Sequence, residues 1–205
     1  PEWAPAEPLC PSVLRARVLA GQAKTVHSPG RGAINKMNKR WRQHPPTVRF
    51  RELYREFIRE CILPLVDDGT GKVVYQAEPA LRCVMPGAHF PTPLHRDVEY
   101  LHSPSEINFW VPITTVGGTN SLWTESEPDK GDYHSLDVGF GEMVQFWGNQ
   151  VRHYTVPNDT TTTRVSFDFR VTPFSMYEEY SKELQSKCKE SRVFALGSYW
   201  ALMER

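Results

Sequence analysis

Between Lys72 and Pro173 the chain leaves no room for helices. Eight short runs follow one another there: KVVYQAE, ALRCVMP, EINFWVPIT, SLWTES, HSLDVG, EMVQFW, HYTVP and TRVSFDFRVTP. Each is rich in β-branched or aromatic residues, which suit a pleated, half-buried backbone. Stretches such as GGTN, DKGD, GNQ and PND separate them and supply turn residues. Parallel neighbours would need crossovers of a dozen or more residues, usually helical. The succession therefore predicts an antiparallel sandwich or barrel over 72–173.

The flanks read differently. Phe50, Leu53, Tyr54, Phe57, Ile58, Cys61, Ile62 and Leu65 recur at helical spacing, with Arg49, Glu52, Arg55, Glu56, Arg59 and Glu60 off that stripe. This predicts one amphipathic helix over 47–66, lying against the sheet. Residues 1–46 are rich in Pro, Gly, Arg and Lys and read as irregular segments with a helix near Ser12–Gln22. Ser175 and Glu178 have capping-box spacing. That spacing predicts a second helix and then an apolar tail across 175–205. No internal linker divides the chain, and one domain is expected for 1–205.

Composition bounds the partners. Net charge is zero, yet residues 1–60 carry 12 of the 24 Lys+Arg and only 5 of the 24 Asp+Glu. The basic run KMNKRWR reads as a solvated surface. No nucleic-acid motif accompanies it, so no nucleic-acid partner is expected. No apolar run approaches the ~18 residues of a membrane span. The four cysteines are scattered, without a C-x-x-C pair. They read as free thiols of a reducing, cytoplasmic compartment rather than a zinc ribbon or disulfide framework. The chain opens at Pro1 rather than Met, which leaves its native start open.

Chemistry concentrates in LHRDVEY. In an extended backbone, positions i and i+2 share a face, so His95 and Asp97 would present an imidazole and a carboxylate together. A third donor is available in His153, at the start of HYTVP and 56 residues after Asp97, a gap long enough for several strands. His102 lies too close to Asp97 to come from a distant strand, and His134 follows a loop. Two imidazoles and one carboxylate suit non-haem Fe(II) with open positions, whereas structural zinc takes four ligands, usually with cysteine. Past His153, TRVSFDFRV alternates strictly. Val165, Phe167, Phe169 and Val171 form one face, and Arg164, Ser166, Asp168 and Arg170 the other. That polar face either meets water or points inward. Pointing inward, Arg164 and Ser166 could grip a small dicarboxylate, because a guanidinium fork matches a carboxylate in two bonds.

The pattern His95-x-Asp97, His153, Arg164-x-Ser166 resembles that of the Fe(II)/2-oxoglutarate-dependent dioxygenases. The surrounding GGTNSLWTES and DVGFGEMVQFWGNQVRHYTVPN resemble the phytanoyl-CoA hydroxylase-like branch of that superfamily. INFWVPIT and FALGSYW are similar to dioxygenases of aminoglycoside biosynthesis clusters. The resemblance spans roughly Val73–Thr172. It implies a mainly β fold with flanking helices, the double-stranded β-helix or jelly-roll, cupin-like barrel. It also implies Fe(II) on His95, Asp97 and His153, with 2-oxoglutarate held by Arg164 and Ser166, and O2 as co-substrate. The implied reaction oxidises, most simply hydroxylates, an unactivated C–H bond of a small-molecule substrate and releases succinate and CO2. The presence of Asp97 argues against a halogenase, which has a small residue there.

Strand parity adds further candidates. Asn108 and Trp110 share one face of EINFWVPIT, placing Asn108 near 2-oxoglutarate and Trp110 on the pocket wall. Arg82, Trp123, Trp147 and Arg170 are candidate substrate contacts, and Gln76 a weaker one. Arg152, a rival to Arg164, would point away from His153. Rival functions are a cupin-like metal-binding protein or isomerase, a protein side-chain hydroxylase, and an inactive scaffold. Nothing in the sequence sets an oligomeric state.

Overall fold

The computed structural model describes residues 45–87, 92–177 and 194–205. The predictions for residues 1–44, and for the helix beyond Tyr177, fall on residues outside this set. Ser175 sits in a 3-10 turn, Phe174–Met176.

The predicted amphipathic helix forms, but in three pieces: α1 (Pro45–Phe57), a π turn (Ile58–Ile62) and α2 (Leu63–Val66). Pro64 has no N–H to donate and its ring crowds the carbonyl four residues back. The turn before it widens, and the Leu63 N–H reaches Ile58 O, five residues back. The extra residue rotates everything after it. Ile58, Ile62, Leu63 and Val66 are buried, while Cys61 and Leu65 turn outward with Leu53. The expected stripe through Cys61 and Leu65 is thus corrected by the π turn.

All eight β-rich runs contain strands: β1 (Lys72–Gln76), β2 (Ala80–Val84), β3 (Ile107–Pro112), β4 (Leu122–Thr124), β5 (His134–Ser135), β6 (Val144–Phe146), β7 (His153–Thr155) and β8 (Arg164–Pro173). A ninth, β9 (Trp200–Glu204), comes from the tail. It pairs along all of β1, from Lys72↔Glu204 to Gln76↔Trp200, so the apolar tail is an integral strand.

The strands form two antiparallel sheets. The larger runs β6-β3-β8-β1-β9, with β2 also on β8. β3 follows one edge of β8, from Pro112↔Ser166 to Ile107↔Val171, while β2 and β1 divide the other edge. The smaller sheet runs β5-β4-β7.

β8 is covered on both faces. Phe167, Phe169 and Val171 join Phe109, Ile107, Val73 and Tyr75 under Tyr54, Ile58, Ile62 and Leu63 of the helical segment. Phe109 stacks on its cross-strand partner Phe169 at 5.4 Å, a pairing that adds to burial energy. Burying each such side chain contributes roughly 1.5–3 kcal/mol. The other face carries Arg164, Ser166, Asp168 and Arg170, and it looks toward the smaller sheet.

Candidate metal centre

His95 and His153 meet through backbone pairing. The His95 N–H donates to His153 O (3.2 Å) and the His153 N–H to His95 O (3.0 Å), an isolated antiparallel bridge. Directly opposed residues present side chains on one face. The rings accordingly lie 4.3 Å apart between centroids. The expectation of a strand through Asp97 is corrected. Arg96 is extended, but Asp97 opens a 3-10 turn, Asp97–Tyr100, in which the Arg96 N–H donates to Glu99 Oε1. One extended residue between His95 and Asp97 suffices to keep their side chains together.

His95, Asp97 and His153 each offer one donor atom, and these atoms lie within 4.8 Å of one another. Asp97 Oδ1 is 3.7 Å from Nε2 of both histidines. Cis donors about 2.1 Å from one ion stand about 3 Å apart, so ion binding requires only a slight contraction. Each imidazole is oriented from behind: His95 Nδ1 is 2.7 Å from Pro93 O, and His153 Nδ1 is 3.2 Å from Val151 O. An Nδ1–H donated to a carbonyl leaves the lone pair on Nε2, facing Asp97.

The two oxygens of Asp97 have opposite surroundings. Oδ2 accepts from Asn108 Nδ2 (2.7 Å), Arg170 Nε (2.9 Å) and Arg170 Nη2 (2.8 Å). Oδ1 is buried with no hydrogen-bond partner among the described residues. A buried carboxylate oxygen without a partner is costly, and a cation between it and the two Nε2 atoms removes that cost. The donor set and the orphaned oxygen fit a divalent ion such as Fe(II). Burial opposes ionisation of Asp97, but Arg170, His153 and Asn108 outweigh it and hold the carboxyl at about 2. Burial lowers the pKa of His153, with Asp97 opposing, which favours its neutral, ligating form.

The centre opens on a narrow cleft. Trp110, Leu122 and Phe146 supply apolar wall, and Thr92 and Thr155 supply hydroxyls. Arg164 lines it too, 4% exposed. Its Nη1 donates to Asn120 O, while Nε has no partner among the described residues. Burial and the neighbouring Arg82 push its pKa down to about 10. Ser166 Oγ, on the same face, is also buried and unpartnered. The polar face of β8 therefore points inward.

The remaining sequence candidates divide. Arg82 and Asp168 line the cleft and pair with each other. Asn108 and Arg170 also line it, but their hydrogen bonds go to Asp97, with Asn108 Oδ1 accepting the Gly148 N–H. Trp123 and Trp147 do not line it. The Trp123 indole donates to Gly118 O, and Trp147 is half exposed. Gln76 is buried between Glu78 O and the Tyr199 hydroxyl. Arg152 faces outward onto Asp129. His134 is exposed beside Asp132 O. His102 is buried behind Asp97, with Nδ1 2.6 Å from Glu106 Oε2. Sequence reasoning missed Gly148, whose carbonyl accepts the Asp97 N–H, and the tail residue Tyr199, whose hydroxyl lies 3.4 Å from Arg170 Nη1. The position of Arg170 within the inward-pointing alternation of β8 was the one available signal.

No protein-family model matches the chain. It is 37% identical over 142 residues to the streptomycin biosynthesis protein StrG of Streptomyces griseus. That stretch is 69% of this chain and 66% of StrG, a little under two thirds of the relative. Among solved structures, SnoK, described as a non-heme alpha ketoglutarate dependent carbocyclase from nogalamycin biosynthesis, aligns over 80% of this chain and 73% of its own. Its identity is 16% and its TM-score 0.49. SnoN, described as a non-heme alpha ketoglutarate dependent epimerase from the same biosynthesis, aligns over 60% and 57% at 16% identity and a TM-score of 0.47. At these values the structural likeness is loose.

Proposed function

We infer that the chain is a non-haem Fe(II) enzyme that uses 2-oxoglutarate and O2 to oxidise a small molecule. In this reading the two sheets are the halves of a double-stranded β-helix. The observation that carries it is the orphaned Asp97 Oδ1 facing the Nε2 atoms of His95 and His153. The unpartnered Arg164 Nε and Ser166 Oγ on the adjoining strand support a dicarboxylate co-substrate. A guanidinium that is 4% exposed and makes no ion pair among the described residues is matched by a carboxylate arriving with a ligand. The relation to a streptomycin biosynthesis protein agrees with a small-molecule substrate.

When bound, ferrous ion with 2-oxoglutarate supplies O2 activation coupled to decarboxylation to succinate. The chain's own residues do the rest. His95, His153 and Asp97 hold the ion through one atom each. Arg164 and Ser166 hold the far carboxylate and so orient the co-substrate. Trp110, Leu122 and Phe146 keep the inner cleft dry, and Arg82 and Asp168 offer charge to a polar substrate. Hydroxylation is the simplest outcome of such a centre.

The test is anaerobic addition of Fe(II) and 2-oxoglutarate, followed by visible absorption. A weak charge-transfer band is expected in the wild-type protein and its loss in His95→Ala, while Arg164→Ala weakens 2-oxoglutarate binding and spares the metal. Fe(II) binding with no response to 2-oxoglutarate would favour a cupin-like metal protein instead.

A further inference from the structure

Three donors converge on one oxygen of Asp97 and none on the other, and the residues responsible are a cross-strand pair. Asn108 of β3 and Arg170 of β8 sit directly opposite in the register, and both project onto Oδ2. A carboxylate oxygen has two lone pairs, so three donors leave Oδ2 nothing to offer an ion. Oδ1, on the side of Nε2 of both histidines, keeps its full capacity.

Resting on the metal-centre reading, we propose that Arg170 is a positioning residue that compels Asp97 to ligate through Oδ1 alone. A free aspartate can bind an ion through one oxygen or two. Two-oxygen ligation would fill a position that a co-substrate or O2 needs. Arg170 forbids it by geometry, because its planar fork places Nε and Nη2 together on the rear oxygen.

Arg170 is itself held firmly. Its side chain is 13% exposed, its Nε is 3.8 Å from the buried Glu106 Oε2, and its Nη1 is 3.4 Å from the Tyr199 hydroxyl. Tyr199 in turn donates to Gln76 Oε1 on β1. Glu106 accepts from the Ser103 N–H and meets His102 Nδ1, so it is fixed as well. Gly148 completes the enclosure. A Cβ there would stand 2.7 Å from Asn108 Nδ2 and 2.9 Å from Asp97 Oδ2, closer than such atoms can approach. The backbone at Gly148 is thus packed close against the rear oxygen.

The test uses Co(II) as the probe, because its visible d–d absorption reports coordination number and symmetry independently of turnover. Wild-type protein is expected to bind one Co(II). Arg170→Lys keeps the charge but lacks the fork, and is expected to alter the d–d spectrum and weaken Co(II) affinity by roughly tenfold to a hundredfold. Arg170→Met is expected to do the same more strongly, and where it fails to fold, the lysine variant decides. A merely structural role would lower the melting temperature yet leave spectrum and affinity per folded chain as in wild type. That result in Arg170→Lys overturns the proposal while sparing the metal centre. Failure of the wild-type protein to bind Co(II) overturns both.

Discussion

The two faces of β8 are built from the same ten residues and obey opposite rules. Phe167, Phe169 and Val171 sit in the main hydrophobic cluster. Arg164 and Ser166 are buried and Asp168 and Arg170 partly so, yet two of these four keep a buried polar atom with no partner among the described residues. Nothing forces a sheet to bury a guanidinium, and desolvating one costs several kcal/mol unless it is paired. The apolar face shows what the strand does for stability, and the polar face carries the buried polar atoms that the proposed co-substrate would satisfy.

The sharpest way to separate the faces is to remove one group from each side of the molecule. His153→Ala should abolish measurable Fe(II) binding in calorimetry while leaving the fold cooperative. Phe169→Ala, on the dry face, should cost about 3–5 kcal/mol in denaturant unfolding and leave Fe(II) affinity per folded chain unchanged. Equal effects of both variants on both readouts would erase the distinction.

Acid should probe the carboxyl that Arg170 of the polar face holds. The Asp97 carboxyl sits at about 2 in the fold and near 3.9 in the unfolded chain. A depressed folded value contributes stability above the unfolded one and loses it as pH falls through the folded one. Relative to Asp97→Asn, wild-type stability should fall by about 2–3 kcal/mol between roughly pH 5 and pH 2, measured by urea unfolding of the metal-free protein.

Gly148→Ala adds one methyl at the junction of Asn108 and Asp97. It should destabilise by about 1–3 kcal/mol through overpacking, and it should weaken Fe(II) binding as Phe169→Ala does not. The smallest expected effect has the opposite sign. Arg164→Met removes an unpaired buried cation and should raise the stability of the ligand-free protein by roughly 1 kcal/mol, while weakening 2-oxoglutarate binding. A destabilised methionine variant would mean that the guanidinium is satisfied without ligand.

Much of this arrangement is legible in the sequence because it follows from period and punctuation. All eight β-rich runs contain strands, since their alternation and turns are local properties. The strict alternation of β8 assigned Arg164, Ser166 and Arg170 to one face, though not which face was inward. That depends on the helical segment covering the phenylalanines. What was not legible depends on distant partners. β9 is a strand because β1 offers it an edge, more than a hundred residues earlier in the chain. The rotation of Cys61 and Leu65 outward follows from one proline acting on the turn before it. Arg170 was visible as a polar residue on the right face. Its attachment to Asp97 required knowing that residues 73 apart meet.

The contact from Tyr199 to Arg170 ties the centre to the tail of the chain. His95, Asp97 and His153 all precede Tyr199 and β9 in the sequence. The outer part of the brace behind Arg170 is therefore supplied by the residue that leads into the last strand, and is set in place by the pairing of that strand with β1.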